Sequence, residues 1–201
     1  MESIFVNGPE GKIEALFETG HASPIAILCH PHPHFGGSMH DRILVALSEK
    51  LLEIGVNVLR FNYRGVGRSE GVSEGNSKEV ADVKAIVDWL KLERPSTPLL
   101  LCGYSYGAAL AYNAFEEISI EALVLIAPPG NYVSPRNTVF DNCLVILARQ
   151  DQFVSLDEAE ELFGRARAKI VVIDDDHFFV DNLNLLVSLI VDFLKEKVFG
   201  I

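Results

Sequence analysis

The stretch Pro98-Leu99-Leu100-Leu101-Cys102-Gly103-Tyr104-Ser105-Tyr106-Gly107-Ala108-Ala109-Leu110 is an apolar run that closes on a serine between two glycines and then turns helix-like. A buried strand that bends sharply into a helix must hold its apex residue in a strained backbone conformation. Small residues two positions either side let strand and helix approach without collision. The apex hydroxyl is thereby lifted clear of the sheet, and the first amides of the helix point to the same spot, where negative charge would develop during attack on a carbonyl. Ser105 is the residue on which chemistry would rest.

The pattern alone does not select it. Gly-x-Ser-x-Gly occurs three times, as Gly67-Arg68-Ser69-Glu70-Gly71, Gly71-Val72-Ser73-Glu74-Gly75 and Gly103-Tyr104-Ser105-Tyr106-Gly107. The first two lie in a polar, glycine-rich stretch with no helix-forming run directly behind them and read as loop. Only the third has an apolar strand before it and Ala108 to Tyr112 after it, which leaves Ser69 a distant second.

Outward from this stretch, strand and helix patterns alternate. Ser3 to Asn7 and Lys12 to Thr19 flank Gly8-Pro9-Glu10-Gly11 as a hairpin, with Ile13, Ala15 and Phe17 alternating with Lys12, Glu14 and Glu18; this pair is expected at the antiparallel edge of a sheet. Pro24 to Cys29 suits a strand buried on both faces. Leu44, Leu47, Leu51 and Ile54 mark a helix from Asp41 to Ile54 that stops at Gly55, and Val56 to Tyr63 is the next strand. Asn76-Ser77-Lys78-Glu79 offers an N-cap with a glutamate three residues on, ahead of a helix face of Val80, Val83, Val87 and Leu90.

Beyond Ser105, strands are expected at Ala122–Ala127, Cys143–Ala148 and Lys169–Asp174. Between the last two, Ser155-Leu156-Asp157-Glu158 caps a helix, and an amphipathic helix through Leu183, Leu186, Ile190 and Phe193 closes the chain. Eight strands interleaved with helices predict an α/β fold with a mostly parallel sheet covered on both faces, in one domain spanning 1–201.

With 201 residues, 49% hydrophobic and 22% charged, the chain has material for one substantial core. A net charge of −11 without a basic cluster argues against nucleic acid or an anionic membrane as partner. The N-terminus has no basic, apolar leader pattern and no run approaches the roughly 18 apolar residues of a membrane span, so a cytoplasmic location is expected. Cys29, Cys102 and Cys143 sit in apolar strand-like runs and read as buried hydrophobes, not as a disulfide framework or a metal site.

A serine needs a histidine base, and the histidine needs a carboxylate to fix its tautomer. In parallel sheets such groups gather beyond the carboxyl ends of strands. Two later strands end suitably: Cys143–Ala148 runs into Asp151, and Ile170–Ile173 into Asp174-Asp175-Asp176-His177. Ser105, Asp151 and His177 therefore form the candidate triad, with Asp174 as fallback acid and Asp175 and Asp176 as solvated loop charges. Taken singly, the aspartate could be a turn or cap and the histidine a solvated loop residue.

In His30-Pro31-His32-Pro33-His34-Phe35-Gly36-Gly37 the prolines leave only His30, His32 and His34 as backbone donors between 30 and 34. His32 N–H is expected to complete an oxyanion hole with Tyr106 N–H. The rival reading is a metal site on alternate histidines, which the intervening prolines and the lack of a nearby carboxylate pattern disfavour. His40 has no assignable role. Arg64-Gly65-Val66-Gly67-Arg68-Ser69-Glu70-Gly71 departs from the dinucleotide fingerprint and reads as a structural loop with Arg64 or Arg68 paired to a buried carboxylate. Phe35, Tyr104, Phe153 and Phe178 could line an acyl pocket, or be ordinary core.

Together these residues resemble the α/β-hydrolase superfamily, and within it small hydrolases akin to dienelactone hydrolases with His-Pro-His-Pro followed by Gly-Gly. The markers are His30 to Pro33 with Gly36-Gly37, Phe61 to Ser69, Gly103 to Gly107, Asp151 and His177. The resemblance implies an eight-stranded α/β-hydrolase sheet and an acyl-enzyme mechanism on Ser105, His177 and Asp151. Dienelactone hydrolases proper carry a cysteine where this chain has Ser105, so their substrate does not carry over. Only Asn131 to Asp141 separate Gly130 from Asn142, too short a connection for a helical lid. The expected activity is hydrolysis of small carboxylic esters, of the carboxylesterase kind, with no cofactor and no metal and with a small acyl compound as partner; a homodimer stays open. Thioester or peptide hydrolysis on the same triad, a metal-dependent hydrolase, and a non-catalytic binding protein on the same fold are the alternatives.

Overall fold

The computed structural model describes residues 1–21, 23–134 and 139–199. The strands are β1 (Glu2–Gly8), β2 (Gly11–Glu18), β3 (Ile25–Cys29), β4 (Asn57–Phe61), β5 (Leu99–Tyr104), β6 (Ala122–Ile126), β7 (Cys143–Ala148) and β8 (Lys169–Ile173). The helices are α1 (Arg42–Glu53), α2 (Val80–Glu93), α3 (Tyr106–Ala114), α4 (Leu156–Gly164) and α5 (Leu183–Phe199). All eight strands form one sheet in the order β1-β2-β4-β3-β5-β6-β7-β8, antiparallel at β1/β2 and β2/β4 and parallel from β4 to β8.

The order explains the composition of the strands. β3 and β5, paired from Ile25↔Leu99 to Cys29↔Gly103, lie in the middle of the sheet, and every residue of both is buried. The chain leaves β3 leftwards through α1 to β4, and returns rightwards over β3 through α2 to β5. Since such crossovers are right-handed, α1 lies on one face and α2 and α3 on the other. The packing agrees: α1 rests on α5, and α2 on α3.

Two local expectations are revised. Glu14 and Glu18 do not face solvent. These side chains are buried under α1 and the loop after β4: Glu18 Oε2 accepts from Arg60 Nε (2.9 Å) and Ser48 Oγ of α1 (2.8 Å), and Glu14 Oε2 from Asn62 Nδ2 (2.9 Å) and the Arg68 amide (2.8 Å). Asn76 does not cap α2. The helix begins at Val80 with Glu79 in the cap position and no side-chain cap, while Asn76 Oδ1 takes only the Lys78 amide (3.3 Å), because the Glu79 carboxylate turns inward to other donors. Residues 135–138 of the short connection after β6 lie outside the described residues, and the expected absence of a lid rests partly on them; the described part holds a 3₁₀ turn at Gly130–Tyr132. Among the described residues no helix is long and apolar enough to cross a membrane.

Candidate active site

Ser105 stands between β5 and α3 with φ 54° and ψ −122°, a left-handed backbone that serine adopts only where the surroundings impose it. Its amide is tied to Ile126 O at the end of β6 (2.8 Å), and its carbonyl receives the Ala108 amide (2.9 Å). The two glycines are needed for contact distance. A Cβ on Gly103 would sit 2.6 Å from Ala108 Cα, and one on Gly107 would overlap Cys29 O and His30 O at the end of β3. The strand and the helix therefore touch, and the apex is forced outward.

Two neighbouring strand ends meet it there. His177 Nε2 lies 2.9 Å from Ser105 Oγ, and His177 Nδ1 lies 2.7 Å from Asp151 Oδ2. The other carboxylate oxygen, Oδ1, accepts the amides of Phe153 (2.8 Å) and Val154 (3.0 Å), so Asp151 is held in place by its own loop. With Nδ1–H donated to the carboxylate, Nε2 is left to accept the serine proton. His177 is buried, and its loop is pinned from two sides: Tyr104 Oη donates to His177 O (3.0 Å), and Arg42 Nη2 donates to Phe178 O and Phe179 O.

Asp174 is elsewhere, exposed beside Gln150 and Arg149. Asp175 is not a solvated loop charge but a buried anchor, accepting the amides of Asp176 and Asn182 (both 2.8 Å) and the Asn182 side chain. Burial alone would raise its pKa, but these donors outweigh it and hold the carboxyl below the ordinary aspartate value.

The histidine loop divides its work. His30 is fully buried, its Nδ1 2.7 Å from Pro31 O and its Nε2 accepting the Tyr63 amide (3.1 Å), so it joins the ends of β3 and β4 as a neutral ring. Burial pushes its pKa down to about 4, against partial compensation from the Pro31 carbonyl. His32 caps a 3₁₀ turn at Pro33–Phe35, with Nδ1 accepting the His34 amide (3.2 Å) and its ring 4.5 Å from that of Tyr106. His34 Nε2 reaches Ser73 O (3.1 Å). The three rings point to different partners. Among the described residues no three His, Cys, Asp or Glu side chains gather as a metal would require. The His32 and Tyr106 amides donate to no described residue.

All three thiols are buried and unpaired, and burial pushes Cys29 and Cys143 up to about 12 and Cys102 up as well. Each stays protonated near neutral pH and far from nucleophilic.

Residues 22–140 match a family described as serine aminopeptidase, S33 (Hydrolase_4). The chain belongs to that family of α/β hydrolases. An uncharacterized protein of Rickettsia prowazekii is 33% identical over 196 residues, covering 89% of this chain and 82% of its own. A Xanthomonas campestris α/β serine hydrolase without lid superposes with TM-score 0.87 at 27% identity, covering 97% of this chain and 94% of its own. The mouse lysophosphatidylserine lipase ABHD12 is 29% identical over 134 residues, 64% of this chain; the match spans about a third of that lipase, 33% of its length.

For this Hydrolase_4 member the aromatic residues separate into support and rim. Tyr104 is buried beneath His177 and supports its loop, so it does not line an open pocket. Phe153 (60% exposed) and Phe178 (48%) stand edge-on to the His177 ring at 5.0 and 5.6 Å, and Phe35 (87%) flanks His32 at 5.2 Å. A cleft of about 500 Å³ opens between the 33–38 and 65–73 loops. Arg64 pairs with buried Asp82 through Nη2 to Oδ1 (2.7 Å) and Nε to Oδ2 (3.0 Å), as a structural loop requires.

Sequence reading missed Glu79, Arg42 and the support role of Tyr104. Each acts through a partner more than 25 positions away, and nothing local in the chain marks it.

Proposed function

We propose that this chain is a serine hydrolase of small carboxylic esters, working through an acyl-enzyme on Ser105. The observation that carries the reading is the continuous run Ser105 Oγ to His177 Nε2 (2.9 Å) and His177 Nδ1 to Asp151 Oδ2 (2.7 Å) on a strained elbow. In this reading His177 takes the Ser105 proton as Oγ attacks the acyl carbon, and Asp151 stabilises the imidazolium. The tetrahedral oxyanion is received by Tyr106 N–H and His32 N–H. The C–O bond to the alcohol breaks as Nε2–H protonates the leaving oxygen. Water, deprotonated by His177, then attacks the acyl carbon and frees the acid and Ser105.

The exposed rings of Phe35, Phe153 and Phe178 support an apolar acyl group at the mouth. The mouse relative, named a lysophosphatidylserine lipase, makes lysophospholipid acyl esters the first natural class to test. The triad does not choose the leaving group, so thioesters and peptides belong in the same panel.

Wild type and Ser105→Ala are assayed with p-nitrophenyl esters from acetate to octanoate, and each is treated with a fluorophosphonate. Wild type is expected to turn over and to carry the phosphonate on Ser105, with the variant slower by about 10⁴-fold or more. Equal turnover by the two proteins removes Ser105 from the mechanism. Silence of wild type toward both esters and phosphonate indicates a binding protein on a hydrolase fold.

A further inference from the structure

Among the buried carboxylates that take no part in the acyl-transfer steps, Glu79 is bonded to the residue that follows Ser105. Glu79 is 0% exposed, and its carboxylate accepts from three donors: Ser73 Oγ, the Gly75 amide (3.2 Å) and Tyr106 Oη (2.6 Å). The Tyr106 hydroxyl in turn accepts the Ser77 amide (2.9 Å), which can only donate, so the phenolic proton must point at Glu79. Burial alone would raise the Glu79 pKa, but the Ser73, Tyr106 and Gly75 donors outweigh it and hold the carboxyl ionised below the ordinary glutamate value.

The network touches both sides of the site. Tyr106 follows Ser105 directly, so the residue clamped by its hydroxyl is the one whose amide opens α3. On the other side, the 73–77 loop that Glu79 gathers in is the seat of the histidine loop. Ser73 O meets His34 Nε2, and Gly75 presses so closely on His32 that a Cβ there would stand 2.6 Å from His32 Cε1. The His32 ring closes the circuit on the Tyr106 ring at 4.5 Å.

We propose that Glu79 is a positioning residue for the Ser105 reaction, holding through Tyr106 and the 73–77 loop the two backbone amides, of Tyr106 and His32, that receive the oxyanion. The inference rests on the serine-hydrolase reading above. A carboxylate suits the position because all its partners are donors. A glutamine would turn an NH₂ toward one of them and displace it. A donor that is shifted, not deleted, costs less than the 10²–10³-fold of a lost oxyanion-hole group, so about tenfold is expected.

The test uses Glu79→Gln, Tyr106→Phe and the double variant, with p-nitrophenyl butyrate as substrate and butylboronic acid as a probe that forms a tetrahedral adduct on serine. Each single variant is expected to lower kcat about tenfold with KM within twofold, and to weaken boronate inhibition by the same factor. The double variant should lose no more than the worse single, because the Tyr106 clamp is part of what Glu79 holds. Ser69→Ala, destabilised but with its hydroxyl bonded to Glu14 and Asn62 and not to the network, should leave kcat, KM and boronate affinity within twofold. If the Glu79 and Tyr106 variants lose only thermal stability, or lose kcat without loss of boronate affinity, the proposal is overturned. If Glu79→Gln fails to fold, Tyr106→Phe carries the same test with Glu79 intact. Phosphonate labelling of wild type separates the two readings: no label on Ser105 removes the hydrolase reading, whereas label with unaltered variants removes the role of Glu79 alone.

Discussion

Of the three serines set in a Gly-x-Ser-x-Gly pattern, Ser69 and Ser105 have opposite fates. Ser69 is buried in the loop after β4, where its hydroxyl donates to Asn62 O (2.8 Å) and accepts the Glu14 amide (2.9 Å); the first bond ties the loop back to the end of β4 and the second stitches it to β2. Ser105 tops a strand-to-helix turn and meets His177. The closing glycines differ in the same sense. Gly71 is required for its φ of +82°, and a Cβ there would meet mainly the exposed side chain of Glu10, whereas Gly107 is required because the backbone of β3 leaves no room. A short motif thus records that small residues are needed, not why. The reason, a tight loop or a tight contact between elements, decides whether the hydroxyl is consumed or presented.

The comparison can be broken at its strongest point first. Gly107→Ala should cost about 3 kcal/mol, since only backbone can yield to the new methyl, while Gly71→Ala should cost about 1–2 kcal/mol from its left-handed backbone. Urea unfolding of the two variants reads the difference, and equal losses would mean that the elbow is not packed as described.

The strand end beneath Gly107 carries His30, and acid should expose it. The ring is near its ordinary pKa of about 6.5 when unfolded and about 4 when folded. Above pH 6.5 both states are neutral and His30 contributes nothing to the pH dependence. Between 6.5 and 4 the unfolded chain takes up a proton that the native ring refuses, so stability falls as pH falls. The loss approaches about 1.4 kcal/mol per unit and about 3 kcal/mol in all. Urea titrations at stepped pH should show this slope in wild type and a flatter one in His30→Gln; an unchanged slope would show that His30 is not the group responsible.

The smallest effect sharpens the contrast from the other serine. Ser69→Ala should destabilise by about 1–2 kcal/mol, leaving the Glu14 amide and Asn62 carbonyl without their partner, and should leave ester turnover within twofold. A loss of turnover comparable to that of Ser105→Ala would put the wrong serine at the centre.

Much of the frame was legible because it is written in local period and punctuation. Continuous apolar runs of five or six residues, amphipathic helix spacing and the Ser155 cap, whose Oγ does accept the Glu158 amide (3.4 Å), all act within a few positions. The elbow belongs to the same class, since strand, glycine, serine, glycine and helix follow one another in the chain. What local reading missed are buried polar groups with distant partners. Glu14 and Glu18 alternate as a solvent face should, yet α1 and the loop after β4 cover them. Glu79 has the spacing of a capping box, yet Tyr106 Oη, 27 positions on, joins Ser73 Oγ and the Gly75 amide in drawing its carboxylate away from the helix end.

The sequence by itself determined the order of strands and helices, the strained turn at Ser105 and the residue types available at the strand ends, because backbone preference and hydrophobic period act over a few residues. Only the tertiary structure decided which carboxylate meets His177 and which stays in solvent, and which histidine of the 30–34 loop is structural. It also decided where the carboxylate of Glu79 is spent. Those outcomes depend on sheet order and on burial, where an unpaired polar group costs more than any local preference returns, so these buried carboxylates and imidazoles bond to whichever partner the fold brings to them.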